Sequence, residues 1–252
     1  MNNYPKLSKP CNCVVCDSPF VAYIRDIPTR RTRKDIPLYY CMECESLFNP
    51  SGYKEDDRIL KKDLEWNIGV IERNLETSEK LIKELIKLYP SAKSVLEIGC
   101  GIGTNLSVAS KYFSKVTGYD LNHYAVDYGK DRFGLDLKSE MWISSKTQSY
   151  DIVLCIMVLE HLENPRHLFS QLVEATKNGK GALFISVPFL ERNRWKYILE
   201  PDPYVKGTPF FDNDVHVTHF SQKGLTELAK QHGATSINRI SQGWLGYIFE
   251  FT

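Results

Sequence analysis

The feature that most constrains the fold is a glycine-rich turn, VLEIGCGIG, between an apolar strand and a helix. Its glycines are Gly99, Gly101 and Gly103. Glycine lets the backbone approach a ligand closely, and the helix that follows offers free N–H groups. The turn therefore predicts a ligand site at the carboxyl end of a strand.

The sequence around this turn alternates between strand-like and helix-like patterns. Strands are predicted at SVLEIG, KVTGYD, YDIVLCIMV and GALFISVP, and helices near NLSVASKYF, YAVDYGKDRF, PRHLFSQLVEATK and SQKGLTELAKQHG. This alternation predicts an α/β fold with a Rossmann-like, mostly parallel sheet. The last two apolar runs, TSINRIS and GYIFEFT, predict a C-terminal antiparallel hairpin.

Three parts are predicted along the chain. Residues 1–50 are rich in cysteine and proline and form a small module, residues 51–90 form a helical connector, and residues 91–252 form the α/β domain. A long connection near 190–215 carries many aromatic residues, and long connections in compact domains are often lids or binding loops. Its aromatic residues fit an acceptor site, a small satellite core or a homodimer contact equally well.

Charge and hydropathy restrict the partners. The formal net charge of +1 gives no overall field that would draw the chain to nucleic acid or to an anionic membrane. No apolar run reaches membrane-spanning length, and the first ten residues contain no signal-peptide core. We therefore expect a cytoplasmic protein that acts on a small molecule, with neither nucleic acid nor membrane as a partner.

The glycine spacing and two acids identify the ligand class. Nicotinamide dinucleotides are bound by G-x-G-x-x-G, whereas this turn has G-x-G-x-G, and the phosphate-binding G-x-x-x-x-G-K-[ST] is absent. Glu97 would repel a pyrophosphate but suits an ammonium group. Asp120, at the end of the next predicted strand, is placed to accept hydrogen bonds from ribose hydroxyls. Both acids together predict S-adenosyl-L-methionine (SAM).

Five of the seven cysteines lie between residues 11 and 44. Two C-x-x-C pairs, Cys13 with Cys16 and Cys41 with Cys44, have the spacing of a tetrahedral zinc site. Cys11 is an alternative to Cys13, but only Cys13 keeps the two-residue gap. Because four thiolates leave no open position for water, we expect a structural zinc in a zinc ribbon.

In four ordered blocks the chain resembles the class I SAM-dependent methyltransferases: VLEIGCGIG, VTGYD, YDIVLCIMVLEHLENP and GALFISVPF. The ribbon ahead of such a domain is similar to that of methyltransferases from sugar and antibiotic pathways. The resemblance implies that the glycine turn with Cys100 holds the methionine moiety, and that Leu121 flanks the adenine. It places Glu140 and Met141 in the adenine loop, although the usual Gly-Asp pair is missing there.

A methyltransferase must also align its acceptor and remove a proton. The candidate bases are His219, which we favour narrowly, His161 and His216; Glu160 precedes His161 directly. Glu160 and Glu163 could instead hold a divalent metal such as magnesium together with His161.

The expected reaction is methyl transfer from SAM to a hydroxyl of a sugar or a related small metabolite, within carbohydrate biosynthesis. Three alternatives remain open at this point. They are a C-methyltransferase of a deoxysugar, an RNA or protein methyltransferase that grips its substrate with the ribbon, and a SAM-binding interaction module without catalytic activity.

Overall fold

The computed structural model describes residues 12–28, 35–49, 57–144, 148–176, 181–190 and 216–251. The chain divides into two compact units. One comprises the described parts of Met1–Tyr53, Glu160–Arg166 and Pro188–Leu228, and we call it the ribbon unit. The other comprises the described parts of Lys54–Leu159, His167–Val187 and Ala229–Thr252, and we call it the sheet unit.

The sheet unit is built on a seven-stranded sheet. Its strands are β4 (Ser94–Ile98), β5 (Lys115–Tyr119), β6 (Leu137–Lys138), β7 (Ile152–Ile156), β8 (Ala182–Ser186), β10 (Ala234–Ile240) and β11 (Gly246–Phe251). They lie in the order β10-β11-β8-β7-β4-β5-β6. The pairs from β8 to β6 are parallel, whereas β11 pairs antiparallel with both β8 and β10.

Six helices accompany the strands in the described residues. They are α1 (Asp57–Gly69), α2 (Ile71–Leu88), α3 (Thr104–Ala109), α4 (His123–Phe133), α5 (Pro165–Thr176) and α6 (Gln222–Gln231). A 3-10 helix (Leu159–His161) follows β7 along the chain. Helix α4 has a clear start and stop, since the Asn122 side chain accepts from the Ala125 N–H and Gly134 ends the helix in the left-handed region.

The central strands are apolar because both faces of the sheet are buried. Every residue of β7 and of β8 is buried. One core cluster of the sheet unit includes Leu81 and Leu85 of α2 and Val95 of β4. The strand order reverses at β4, whose neighbours are β5 on one side and β7 on the other. In open α/β sheets ligands bind at the carboxyl ends of the strands at such a reversal, which is where the glycine turn lies.

The ribbon unit has its own four-stranded sheet. Strands β1 (Val21–Pro28) and β2 (Asp35–Cys41) form an antiparallel hairpin, β3 (Leu47–Phe48) pairs with β2, and β9 (Thr218–His219) pairs with β3. A small apolar core of Leu38, Tyr40 and Leu47 supports this sheet. Strand β9 comes from a distant part of the sequence, about 170 residues after Cys44.

The structure confirms the predicted fold class, with its mostly parallel sheet and its C-terminal antiparallel strands. The pairing of β9 with the ribbon strand β3 was not predicted. Most of the expected lid near 190–215 lies outside the described residues. In the part of the chain that the structure describes, no helix is long and apolar enough to cross a membrane.

Candidate cofactor and acceptor sites

The glycine turn after β4 adopts a conformation that requires glycine. Gly99, Gly101 and Gly103 have φ angles of 74°, 52° and 78°, in the left-handed region. At Gly99 there is also no space for a side chain, because a Cβ atom would collide with Val158. The turn thus brings bare backbone to the carboxyl end of β4, as a ligand in close contact with the main chain needs.

Asp120 directly follows β5, and its carboxylate connects the glycine turn to the loop before α4. Its Oδ2 accepts a hydrogen bond from the Gly101 N–H at 2.7 Å, and its Oδ1 accepts one from the Asn122 N–H at 2.7 Å. Burial raises the pKa of this carboxyl, while the two N–H donors oppose that shift. A carboxylate has about four lone-pair sites, so Asp120 keeps acceptor capacity for two ribose hydroxyls.

Glu97 is a buried acid in the middle of apolar β4. It is 1% exposed, and its Oε1 accepts a hydrogen bond from Asn105 Nδ2 at 2.6 Å. Its Oε2 has no hydrogen-bond partner among the described residues. Burial raises the pKa of Glu97 to about 8, and the charge of nearby Asp120 adds to the shift. A buried carboxylate oxygen that lacks a donor fits an ammonium group.

Asn105 is a site residue that the sequence analysis missed. Its Oδ1 lies 2.6 Å from the hydroxyl of Ser78 and accepts a hydrogen bond from Trp244 Nε1 at 3.3 Å. These contacts fix the amide so that its NH₂ group faces Glu97. The sequence does contain an indication of buried polar groups here, because Asn74 and Ser78 are four residues apart and so lie on one side of a helix. The structure buries both on the apolar side of α2.

The other residues that the resemblance assigns to SAM also have defined positions. Cys100 is buried in the turn, and burial raises its pKa. Leu121 and Met141 are 62% and 70% exposed, and Glu140 is exposed as well. Leu121 follows Asp120 directly in the chain, and exposed apolar side chains such as those of Leu121 and Met141 are what an adenine ring would cover.

The four predicted cysteines meet in the ribbon unit. Cys13 Sγ lies 3.6 Å from Cys44 Sγ, and Cys16 Sγ lies 3.6 Å from Cys41 Sγ. All four sulfur atoms are within 4.8 Å of one another, and all four residues are buried. Tetrahedral zinc with Zn–S bonds of about 2.3 Å separates sulfurs by about 3.8 Å, so the cluster fits that metal.

The two cysteine pairs have the same turn geometry. Asp17 N–H donates to the Cys13 carbonyl and Glu45 N–H donates to the Cys41 carbonyl, each at 2.9 Å. Asp17 and Glu45 both have positive φ angles, 66° and 63°. Backbone N–H groups also point at the sulfurs of Cys13 and Cys41, at 3.4 Å. Cys11 lies outside the described residues.

A second cluster combines Glu160, His161 and His216. One ligand atom from each lies within 4.8 Å of the others. His161 Nε2 is 3.9 Å from Glu160 Oε1, and the two imidazole rings lie edge to face with centroids 4.9 Å apart. Glu160 is 1% exposed, and neither carboxylate oxygen has a hydrogen-bond partner among the described residues. Burial raises its pKa to about 8.

His219 and Glu163 are not members of this cluster. His219 lies in β9, paired with Leu47, and burial lowers its pKa to about 4. Glu163 is exposed. The structure thus brings His161 together with Glu160 and His216. The sequence analysis proposed Glu163 as the third metal ligand beside Glu160 and His161, whereas in the structure the third residue of the cluster is His216.

Comparison with known proteins identifies the family of the chain. A family model described as "Methyltransferase domain" matches residues 71–238. A ubiquinone biosynthesis O-methyltransferase of Coxiella burnetii is 26% identical over 155 residues, which are 57% of this chain and 65% of that relative. The chain thus spans slightly less than two thirds of that relative's length.

Two solved structures share the fold. Streptomyces venezuelae DesVI has a TM-score of 0.55 at 12% identity, covering 79% of this chain and all of DesVI. The plantazolicin methyltransferase BpumL, in complex with S-adenosylhomocysteine (SAH), has a TM-score of 0.53 at 15% identity, covering 79% of this chain and 91% of BpumL. The family match covers more than half of the chain and agrees with the turn that Glu97, Asp120 and three glycines build. The chain therefore belongs to the methyltransferase-domain family.

Proposed function

We propose that this enzyme transfers the methyl group of SAM to a hydroxyl of a small metabolite, with a sugar or a sugar-linked compound as the acceptor. The observation that carries the proposal is the cluster of Glu160, His161 and His216, which offers a buried acid and two imidazoles to an acceptor proton. The Coxiella relative is named an O-methyltransferase, which supports oxygen as the methylated atom. The zinc-ribbon resemblance supports the sugar class.

The cofactor is assigned to the residues around the glycine turn. Glu97 receives the ammonium group on its unpartnered Oε2, and Asp120 receives the ribose hydroxyls. Backbone groups from Gly99 to Gly103, with Cys100 between them, surround the methionine moiety. In this proposal Leu121 and Met141 flank the adenine, and Glu140 lies in the same loop.

The acceptor proton goes to His161. The bound cofactor supplies an electrophilic methyl group on a sulfonium sulfur. As the acceptor oxygen bonds to that methyl carbon, the carbon–sulfur bond breaks, SAH forms and the hydroxyl proton moves to the imidazole. The side chain of His161 is 31% exposed and so is open to an acceptor, whereas His219 is buried and pairs with the ribbon strand. Glu160 stabilises the imidazolium that results.

The same cluster offers a second mechanism. One carboxylate and two imidazoles are ligands that divalent metals accept. A divalent transition-metal ion held by Glu160, His161 and His216 would activate the hydroxyl by lowering its pKa, whereas magnesium prefers oxygen ligands and suits two imidazoles less well. Addition of Fe²⁺ or Mn²⁺ to metal-stripped enzyme separates the two mechanisms, because only the metal mechanism predicts a restored rate.

The cluster of four cysteines is proposed to hold one structural zinc. Its four thiolates fill the tetrahedral shell, so no open position remains for a substrate. Backbone N–H groups directed at Cys13 and Cys41 stabilise the thiolate charge. The zinc therefore supports the ribbon unit and takes no part in the chemical step.

A phenolic hydroxyl is the second candidate acceptor, because the Coxiella relative is named a ubiquinone biosynthesis O-methyltransferase. The test is to offer purified enzyme and SAM a panel of sugar nucleotides and a panel of catechols, and to follow SAH formation. Methylation of sugars alone supports the proposal, and methylation of catechols alone replaces it with the phenolic class.

A further inference from the structure

The second cysteine knuckle, Cys41–Ser46, is fastened to the start of α6 by two buried serines. The Ser221 hydroxyl donates a hydrogen bond to the Cys44 carbonyl, and the Ser221 N–H donates to Ser46 Oγ at 3.2 Å. The same hydroxyl accepts the Gly224 N–H at 2.7 Å and so caps α6. Ser46 and Ser221 are 0% and 2% exposed.

This contact continues into the segment that bears the histidines. Leu47 and Phe48 of β3 pair with His219 and Thr218 of β9, and the Asn49 N–H donates to the Val217 carbonyl at 2.8 Å. The knuckle is therefore connected by backbone hydrogen bonds to residues 216–221.

The opposite side of this segment holds the acid and the first imidazole. The Val217 N–H donates to the Glu160 carbonyl at 2.9 Å, and Thr218 Oγ1 donates to the Leu162 carbonyl at 3.4 Å. Residues 216–221 thus lie between the ribbon strand and the Glu160–His161 segment, with bonds to both. Two successive sets of hydrogen bonds therefore join the knuckle to the Glu160–His161 segment.

We propose that the metal-bound cysteine cluster positions the Glu160–His161–His216 cluster, and that Ser221 is the positioning residue that links them. A two-residue strand pair has too few hydrogen bonds to keep its register alone. The Ser221 clamp fastens β9 to the knuckle at one end of the β3–β9 pair, and the Asn49–Val217 hydrogen bond closes the other end. In this proposal the ribbon holds the segment that carries His216 and so helps to position the proposed acceptor site. The catalytic consequence rests on the proposed function, but the structural coupling does not.

Hydrogen exchange measured by mass spectrometry tests the coupling without an acceptor or turnover. The full chain is compared with its zinc and after removal of the zinc by a chelator. We expect amides in residues 216–221 and 160–162 to exchange at least about tenfold faster without zinc, while β4 and β5 keep their protection. Unchanged protection of residues 216–221 would overturn the proposal and leave the zinc as a support of the cysteine knuckles alone.

A pair of serine variants tests the positioning residue. Ser221→Ala removes the clamp hydroxyl, and Ser221→Thr keeps one. Thr226→Ala is the matched control, because its hydroxyl bonds to the Lys223 carbonyl on the exposed side of the same helix. We expect Ser221→Ala to retain one zinc per chain and its SAH affinity but to lose protection at residues 216–221, with restoration in Ser221→Thr. If the amides of residues 216–221 exchange at the same rate in Ser221→Ala as in Thr226→Ala, the assignment of Ser221 as the positioning residue is contradicted.

Turnover then separates the two proposals. If Ser221→Ala loses protection and its kcat falls about tenfold or more with KM for SAM unchanged, both the coupling and the acceptor role of the cluster are supported. If protection is lost and kcat stays the same, the coupling stands and the proposed role of the cluster in catalysis fails.

Discussion

Asn105 donates a hydrogen bond to Glu97 at 2.6 Å inside the sheet unit, and this bond fixes the acid to which we assign the cofactor's amino group. We expect Asn105→Ala to weaken SAH binding by about tenfold or more, because hydrogen bonds to charged groups contribute about 1.5–3 kcal/mol. Binding of 5′-methylthioadenosine, which lacks the amino-acid group, should change much less. Calorimetry with both ligands measures the difference.

The control for this variant is Asn238→Ala, which removes an exposed asparagine of the same sheet unit. It should bind both ligands like the wild type. Equal losses of affinity for SAH and 5′-methylthioadenosine in Asn105→Ala would show a general packing defect rather than a role at the amino-acid group.

The raised pKa of Glu97 makes cofactor affinity depend on pH. With a pKa of about 8 the free acid is protonated at neutral pH, whereas the ammonium group binds the ionised form. Affinity for SAH should therefore rise between pH 6 and 8, by up to about tenfold per pH unit. It should level off above pH 8, where Glu97 is already ionised in the free protein.

Proton release gives an independent measure of the same effect. At pH 7, calorimetry in two buffers with different ionisation heats should show a proton leaving on SAH binding. Glu97→Gln keeps the shape of the side chain and should abolish both the release and the rise with pH. A wild-type affinity that is constant from pH 6 to 8 contradicts an ammonium partner for Glu97.

Metal analysis checks the cysteine cluster. Protein purified without chelators should carry about one zinc per chain, and Cys41→Ser should reduce that content because it removes one of four ligands. Cys155→Ser, which changes a buried cysteine of β7, is the control and should leave the zinc in place. Wild-type protein without zinc, from cells grown with adequate zinc, would exclude the ribbon metal.

Single histidine substitutions identify the base. His161→Ala should lower kcat about 100-fold to 10,000-fold with SAH affinity retained, because in our proposal the imidazole takes the acceptor proton and makes no contact with the cofactor. The pH profile separates His219 from the others. Burial lowers the pKa of His219 to about 4, so a rate that depends on neutral His219 stays constant from pH 8 to about pH 5. A constant rate over that range, lost in His219→Ala, would reverse our assignment.

The order of strands and helices was predictable because it depends on local patterns. The buried runs of β4, β7 and β8 are apolar throughout apart from Glu97 and the strand-end serines, and Asn122 and Gly134 mark the ends of α4. The cysteine pairs were equally clear, since two thiolates in each C-x-x-C are close by chain geometry alone.

What the sequence did not show are contacts between distant segments. Asn105 and Trp244 are 139 residues apart, and Ser46 and Ser221 are 175 apart. No local periodicity carries information about such pairs, because they form only when separate elements pack together. The sequence favoured His219 narrowly over His161 and His216 as the base, and no local pattern showed that His219 is buried, because its burial depends on its pairing with the ribbon strand.

The most direct test of the account is a product analysis with purified enzyme, SAM and the sugar-nucleotide panel. We predict that one acceptor gains the mass of a single methyl group on oxygen while an equal amount of SAH forms. Asp120→Ala, which loses the ribose hydrogen bonds, should slow the reaction mainly by weakening cofactor binding. An acceptor methylated on carbon or nitrogen, or SAH formed with no methylated hydroxyl in any panel, would contradict the proposed reaction.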